Sequence, residues 1–170
     1  MIKGIIKNMI KEGFYMEKYV LALDTSLSNT GYCIFDESGK PLKVGSIATK
    51  SKNSHGERLK IIANVFLDLR KQYDIDVVIF EKGFSRYYAS TQALFKVIGV
   101  ANYIFHDCEI IYYAPATIKK IVCGNGRANK ELVQQKMKKT FPFLQFDNCD
   151  QSDAVSVGYV YFLDKGVYNE

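Results

Sequence analysis

The apolar positions of this chain change period at regular intervals, and those changes predict its elements. Tyr19-Val20-Leu21-Ala22-Leu23 is a continuous apolar run ending on Asp24, the pattern of a strand covered on both faces. A second strand is predicted over 30–36, closed by the turn residues Glu37-Ser38-Gly39-Lys40, and a third runs from Leu42 to Ala48. These three form a meander. After a polar loop over 50–56, Leu59, Ile62, Ala63, Phe66 and Leu69 recur at helical spacing and predict a helix over 57–72. Val77-Val78-Ile79-Phe80 is the next buried strand, and it ends on Glu81.

A loop rich in Tyr and Arg follows, then an apolar helix from about Ser90 to His106 and a strand over 109–114 stopped by Pro115. A short helix over 115–122, a turn at Gly124-Asn125-Gly126 and a basic helix over 128–140, ended before Pro142, come next. The last helix spans 150–164, with Gly166 as its cap. Three strands, helix, strand, helix, strand and then helices describe a mixed α/β layout with an antiparallel start and a parallel continuation. Residues 16–170 are expected to form one domain. Ahead of it, Ile2, Ile5, Ile6, Met9 and Ile10 alternate with Lys3, Lys7 and Lys11. Residues 1–15 suit a basic amphipathic helix, a docking arm or a disordered extension, and the interrupting lysines exclude a secretory signal.

Charge adds a second layer. The chain carries a formal +5, and the stretch from Lys119 to Lys139 holds seven basic residues (Lys119, Lys120, Arg127, Lys130, Lys136, Lys138 and Lys139) against Glu131 alone. Such a run is either a solvated helical face or a phosphate-binding surface. Cys33, Cys108, Cys123 and Cys149 form no close pair, which excludes a zinc spacing and a small disulfide framework; reduced thiols and a cytoplasmic location are the expectation. No run approaches the roughly 18 apolar residues of a membrane span.

Four acids then stand out against this basic background: Asp24, Glu81, Asp150 and Asp153. Two end strands, where α/β sheets gather functional groups. The other two are three residues apart at a helix start, so both project from one side of a first turn. Carboxylates repel, and gathering them is costly unless a cation compensates; Mg²⁺ prefers such oxygen donors. Two-metal phosphoryl chemistry requires this kind of cluster, with cations held about 4 Å apart. Each acid also has an ordinary reading, since strand-end acids are common in loops and an Asp at a helix start is often an N-cap worth about 1 kcal/mol.

The motifs together resemble the RuvC family of Holliday-junction resolvases, in the RNase H-like superfamily. Leu23-Asp24-Thr25-Ser26-Leu27-Ser28-Asn29-Thr30-Gly31-Tyr32 resembles the first motif, Ile79-Phe80-Glu81-Lys82-Gly83-Phe84 the second, Ala116 through Lys130 the basic motif, and Asp150-Gln151-Ser152-Asp153-Ala154 the terminal acidic motif. The resemblance covers residues 19 to 164 in colinear order. It implies a five-stranded RNase H-like mixed sheet flanked by helices, and paired, Mg²⁺-dependent incision of four-way DNA junctions by a homodimer. Two Mg²⁺ per active site are implied, with Mn²⁺ as a substitute. By motif position Asp24, Glu81, Asp150 and Asp153 would ligate metal, and Lys119 and Lys130 would lie near the scissile phosphate. Phe84 would stack on junction bases, with Arg86, Tyr87, Lys120 and Arg127 as further DNA contacts. Phe84 equally fits an ordinary core position.

The helix carrying Leu94, Val97, Ile98, Ala101 and Phe105 resembles the family's dimer helix, and it equally suits a cover for the sheet. Thr25 and Ser26 replace the Pro and Gly usual after the first aspartate. With the basic extension, this suits a divergent branch of phage or mobile-element type. Three rival readings stand beside the resolvase. The first is an actin-like or sugar-kinase ATPase, for which the chain is short. The second is a non-catalytic junction binder, which has no use for four anions facing phosphate. The third is a related nuclease acting on other branched DNA or an RNA–DNA hybrid.

Overall fold

A computed structural model describes residues 17–83 and 87–168. Within them the strands are β1 (Tyr19–Asp24), β2 (Asn29–Phe35), β3 (Pro41–Ala48), β4 (Ile75–Glu81) and β5 (Glu109–Tyr113). The helices are α1 (His55–Gln72), α2 (Tyr88–Ile104), α3 (Pro115–Cys123), α4 (Lys130–Thr140) and α5 (Cys149–Asp164). The sheet order is β3-β2-β1-β4-β5. β1 pairs antiparallel with β2 and β2 with β3, while β4 runs parallel to β1 and β5 parallel to β4. This is the mixed sheet expected from the order of elements. The amphipathic or disordered extension expected over 1–15 lies outside the described residues.

Alternation along the strands divides the core in two. Val20 and Ala22 of β1, with Val77 and Ile79 of β4, face Val155, Val157 and Val160 of α5, behind which lie Ile118 of α3 and Val133 and Met137 of α4. Leu21 and Leu23, with Val78 and Phe80, face the opposite layer, built from Ile62, Phe66 and Leu69 of α1 and Val97, Ile98 and Ala101 of α2. Leu23 is in register with Phe80 across the parallel pair, so Asp24 and Glu81 stand side by side at the carboxyl edge. By the two-residue period of a strand, both fall on the α5 face.

Helix α5 is the central helix, packed on β1 and β2 and covered by α3 and α4. Two glycines allow that depth. A Cβ on Gly31 of β2 would lie 2.0 Å from the Asp150 carbonyl oxygen, and one on Gly158 would lie 2.1 Å from the Phe35 ring. The buried hydroxyls of Ser152 and Ser156 bond back to the carbonyls of Cys149 and Asp153, so the helix enters the core with those side chains paired.

Element ends differ from expectation by one or two residues, for local reasons. Helix α1 begins at His55 because Ser54 and Glu57 form a reciprocal capping box. Of the residues expected on a dimer face, Val97, Ile98, Ala101 and Phe105 are buried in the α1–α2 core layer. The exposed large apolar residues of α2 are instead Tyr88, Phe95 and Tyr103.

Candidate active site

The site forms where the carboxyl edge of the sheet meets the first turn of α5. Asp24 ends β1, and Asp150 and Asp153 project from α5. Carboxylate oxygens of all three lie within 4.8 Å of one another. The cap of α5 is Asn148, whose Oδ1 accepts from the Gln151 amide at 3.1 Å while its Nδ2 donates to Ser46 Oγ at 2.9 Å. Asp150 is therefore no N-cap, and the ordinary reading of that acid is removed. Gly31 brings the Asp150 backbone onto β2, and the Asn29 amide then donates to Asp150 Oδ2 at 2.6 Å.

Lys130, the first residue of α4, reaches into the trio. Its ammonium lies 2.9 Å from Asp153 Oδ2, 3.0 Å from Asp150 Oδ1 and 3.9 Å from Asp24 Oδ2. Asn129 caps that helix through the Leu132 amide and so fixes where Lys130 leaves it. Glu81 stands outside the close trio, although its charge is felt by Asp24. Lys119 is half-buried on α3 and acts on Glu81 and Asp153 through space.

The electrostatics follow from this crowding. Burial, then the charges of Glu81 and Asp153, push the Asp24 carboxyl up to about 8. Burial first and Asp153 second raise Glu81, and burial also raises Asp153, against the pull of Lys130. Burial disfavours the Lys130 ammonium, but its bonds and attraction to the aspartates outweigh that and hold it above the usual lysine range. The cluster thus calls for positive charge. Its donor set fits a hard divalent cation: three converging carboxylates, now neutralised by the Lys130 ammonium, and a buried Asn29 Oδ1 with no hydrogen-bond partner.

The residue pattern of the crossover junction endodeoxyribonuclease RuvC family matches this chain over residues 20–161. The chain belongs to the RuvC family. The RuvC of Alkaliphilus metalliredigens is 32% identical over 145 residues, covering 81% of this chain and 88% of that protein. Among solved structures, Thermus thermophilus RuvC in complex with Holliday junction substrate is similar at a TM-score of 0.74 and 16% identity, covering 88% of this chain and 96% of that one. The yeast mitochondrial Holliday junction resolvase is similar at a TM-score of 0.62 and 11% identity, covering 96% and 87%. At those identities the two structures speak for the fold alone. These relatives come from bacteria and yeast mitochondria and give no support to a phage-type origin. RuvC-family nucleases are metal-dependent, which agrees with the acidic trio. Membership also displaces the ATPase and non-catalytic readings.

Of the other residues expected to matter, Lys120 and Arg127 are exposed on the α3–α4 side. Tyr87 is exposed and opens α2. Phe84 and Arg86 lie outside the described residues. Asn29 was missed by sequence reading. Its signal was available in its place five residues after Asp24, but an Asn beside Thr30-Gly31 reads first as turn chemistry. No helix among the described residues is long and apolar enough to cross a membrane.

Proposed function

We propose that this RuvC-family chain resolves four-way DNA junctions by paired, Mg²⁺-dependent hydrolysis of phosphodiester bonds. The observation that carries this reading is the convergence of Asp24, Asp150 and Asp153 around one cation-seeking point, beside the basic surface of α3 and α4. Those three acids, with Glu81 at their side, would hold two Mg²⁺ ions, or Mn²⁺ in their place. A metal bound there lowers the pKa of the attacking water and offsets charge on the phosphate.

The chain's own groups do the rest. Asn29 orients Asp150, and Asn148 anchors the first turn of α5 to β3. When a phosphate enters, Lys130 exchanges carboxylate partners for phosphate oxygens, and its ammonium offsets the negative charge that develops there. Lys119 approaches the same phosphate from α3. Lys120 and Arg127 hold the flanking backbone, with Phe84, Arg86 and Tyr87 as further contacts to the junction.

Symmetric resolution needs two sites across a two-fold axis. The exposed side of α2 suits a second copy: Phe95 is 59% and Tyr103 82% exposed, beside a groove lined by Ala63, Leu67, Gly99 and Val100. Residues 16–170 are read as the nuclease domain and 1–15 as an appended basic segment. Cleavage of four-way, flap, linear duplex and hybrid substrates with Mg²⁺, Mn²⁺ or chelator tests the reading. Preference for the four-way junction supports it, and equal cutting of flaps or hybrids assigns the broader nuclease activity instead.

A further inference from the structure

A cleft of about 480 Å³, mixed in character, lies against Thr25, Ser26, Leu27 and Ser28, the loop that follows Asp24. Its other walls come from the start of α1, with His55 and Arg58, from Gly83 after β4, and from α2, with Ala89 and Ser90 at its start and Ala93 and Leu94 one turn on. Among the described residues no carboxylate lines it, in contrast to the acidic cluster at the same strand ends.

Arg58 is the unusual residue here. It is 7% exposed, yet among the described residues it forms no ion pair. Its Nε donates to Thr49 Oγ1 at 2.8 Å and one terminal nitrogen donates to Ser28 Oγ at 3.1 Å. Both partners are neutral, and a guanidinium has five N–H donors. A buried charge without a counter-charge is expensive, and the open side of this one is the cleft. Two further observations point the same way. Thr25, also 7% exposed, lines the cleft and has a buried hydroxyl with no hydrogen-bond partner. Helix α2 opens onto it with no side-chain cap and no acid in its first turn, so its first amides have no intrahelical partner and its dipole favours an anion. The Lys96 ammonium, 3.2 Å from His55 Nδ1, adds positive charge at the rim.

We propose that this cleft binds a backbone phosphate of the cleaved strand, away from the scissile position, with Arg58 as its principal ligand. The inference rests on the junction-nuclease reading. It adds a phosphate contact on the α1–α2 side of the sheet, tied through the 25–28 loop to Asp24. Strand position would then be sensed by the same loop that carries the first acid of the site.

The test couples one residue to one phosphate. Junctions carrying a single neutral methylphosphonate at each position near the cut are bound by the full chain in chelator, so that affinity is read without turnover. Wild type should lose affinity at one discrete non-scissile position. Arg58→Gln should bind the unmodified junction more weakly, with a salt slope shallower by about 0.9, the share of one phosphate, and should be indifferent to the methylphosphonate at that position alone. Arg58→Lys should keep part of the affinity.

Thr25→Val guards against misfolding. It removes an orphaned hydroxyl, so it should keep or raise the melting temperature while weakening binding at the same position. Additive effects of Arg58→Gln and methylphosphonate at every position, or unchanged binding by Thr25→Val, would overturn the proposal. Absence of junction binding by wild type would instead remove the functional reading beneath it.

Discussion

The Lys130 ammonium sits 2.9 Å from Asp153 Oδ2, in the middle of the carboxylates that are to hold metal. It is the protein's own counter-cation for a cluster that repels itself. Lysine and divalent metal therefore compete for the same oxygens. Lys130→Gln should bind Mg²⁺ more tightly than wild type by calorimetry in the absence of DNA, while cutting junctions more slowly. Weaker Mg²⁺ binding in that variant would place the lysine outside the competition.

Asp24 and Glu81 stand on adjacent strands at the sheet edge and act on each other electrostatically. Replacing either carboxylate by its amide should lower turnover by roughly 10³-fold, the scale seen when a group stabilising transition-state charge is lost. Junction affinity in chelator should be kept or slightly improved, because an anion facing DNA is removed. Gel-shift and single-turnover cleavage separate the two effects, and a variant that retains turnover would take that acid out of the metal site.

Acid crowding also predicts how the metal-free protein responds to pH. Burial and then its neighbours hold the folded Asp24 carboxyl up to about 8, against an ordinary 3.8. Between those values the folded state binds a proton that the unfolded state has released. Stability therefore falls as pH rises through that window and levels off above it. Glu81 and Asp153 are raised as well and push the same way. Lys130 is also raised, but its contribution is lost only above the ordinary lysine range and leaves this window untouched. The metal-free melting temperature should be higher at pH 5.5 than at pH 8, added Mg²⁺ should recover it at pH 8, and Asp24→Asn should flatten the profile. A melting temperature that rises with pH in chelator would contradict the assignment.

Gly31 sets the distance between α5 and the sheet. A Cβ there would meet the Asp150 carbonyl oxygen at 2.0 Å, and a main-chain atom cannot rotate away. Gly31→Ala should destabilise the fold by about 1–3 kcal/mol, the usual range for overpacking, and should lower cleavage by displacing Asp150. Denaturant unfolding with a parallel activity assay checks both; an alanine variant with normal stability would mean that the approach is looser.

Much of this molecule was legible in the chain because its strands are uninterrupted apolar runs and its acids end two of them. The runs 19–24 and 77–81 predict two buried strands that each end on an acid; the structure pairs them, and their register sets Asp24 beside Glu81. The i,i+3 spacing of Asp150 and Asp153 fixed their shared side. Harder to see were groups whose role depends on distant packing. Asn148, not Asp150, caps α5, because its amide also reaches Ser46 on β3. Asn29 meets Asp150 only because Gly31 lets the helix descend. Nothing in the helical pattern over 57–72 singles out Arg58, whose burial follows from the loops of Ser28 and Thr49 that bond its guanidinium.

Paired metal-dependent incision at a four-way junction is tested most directly on a supercoiled plasmid that extrudes a cruciform. With Mg²⁺ the full chain should convert it to linear product by two cuts across the junction, and chelator or Asp24→Asn should leave it intact. Product formation that chelator does not affect, or equal nicking of a plasmid without a cruciform, would contradict the account.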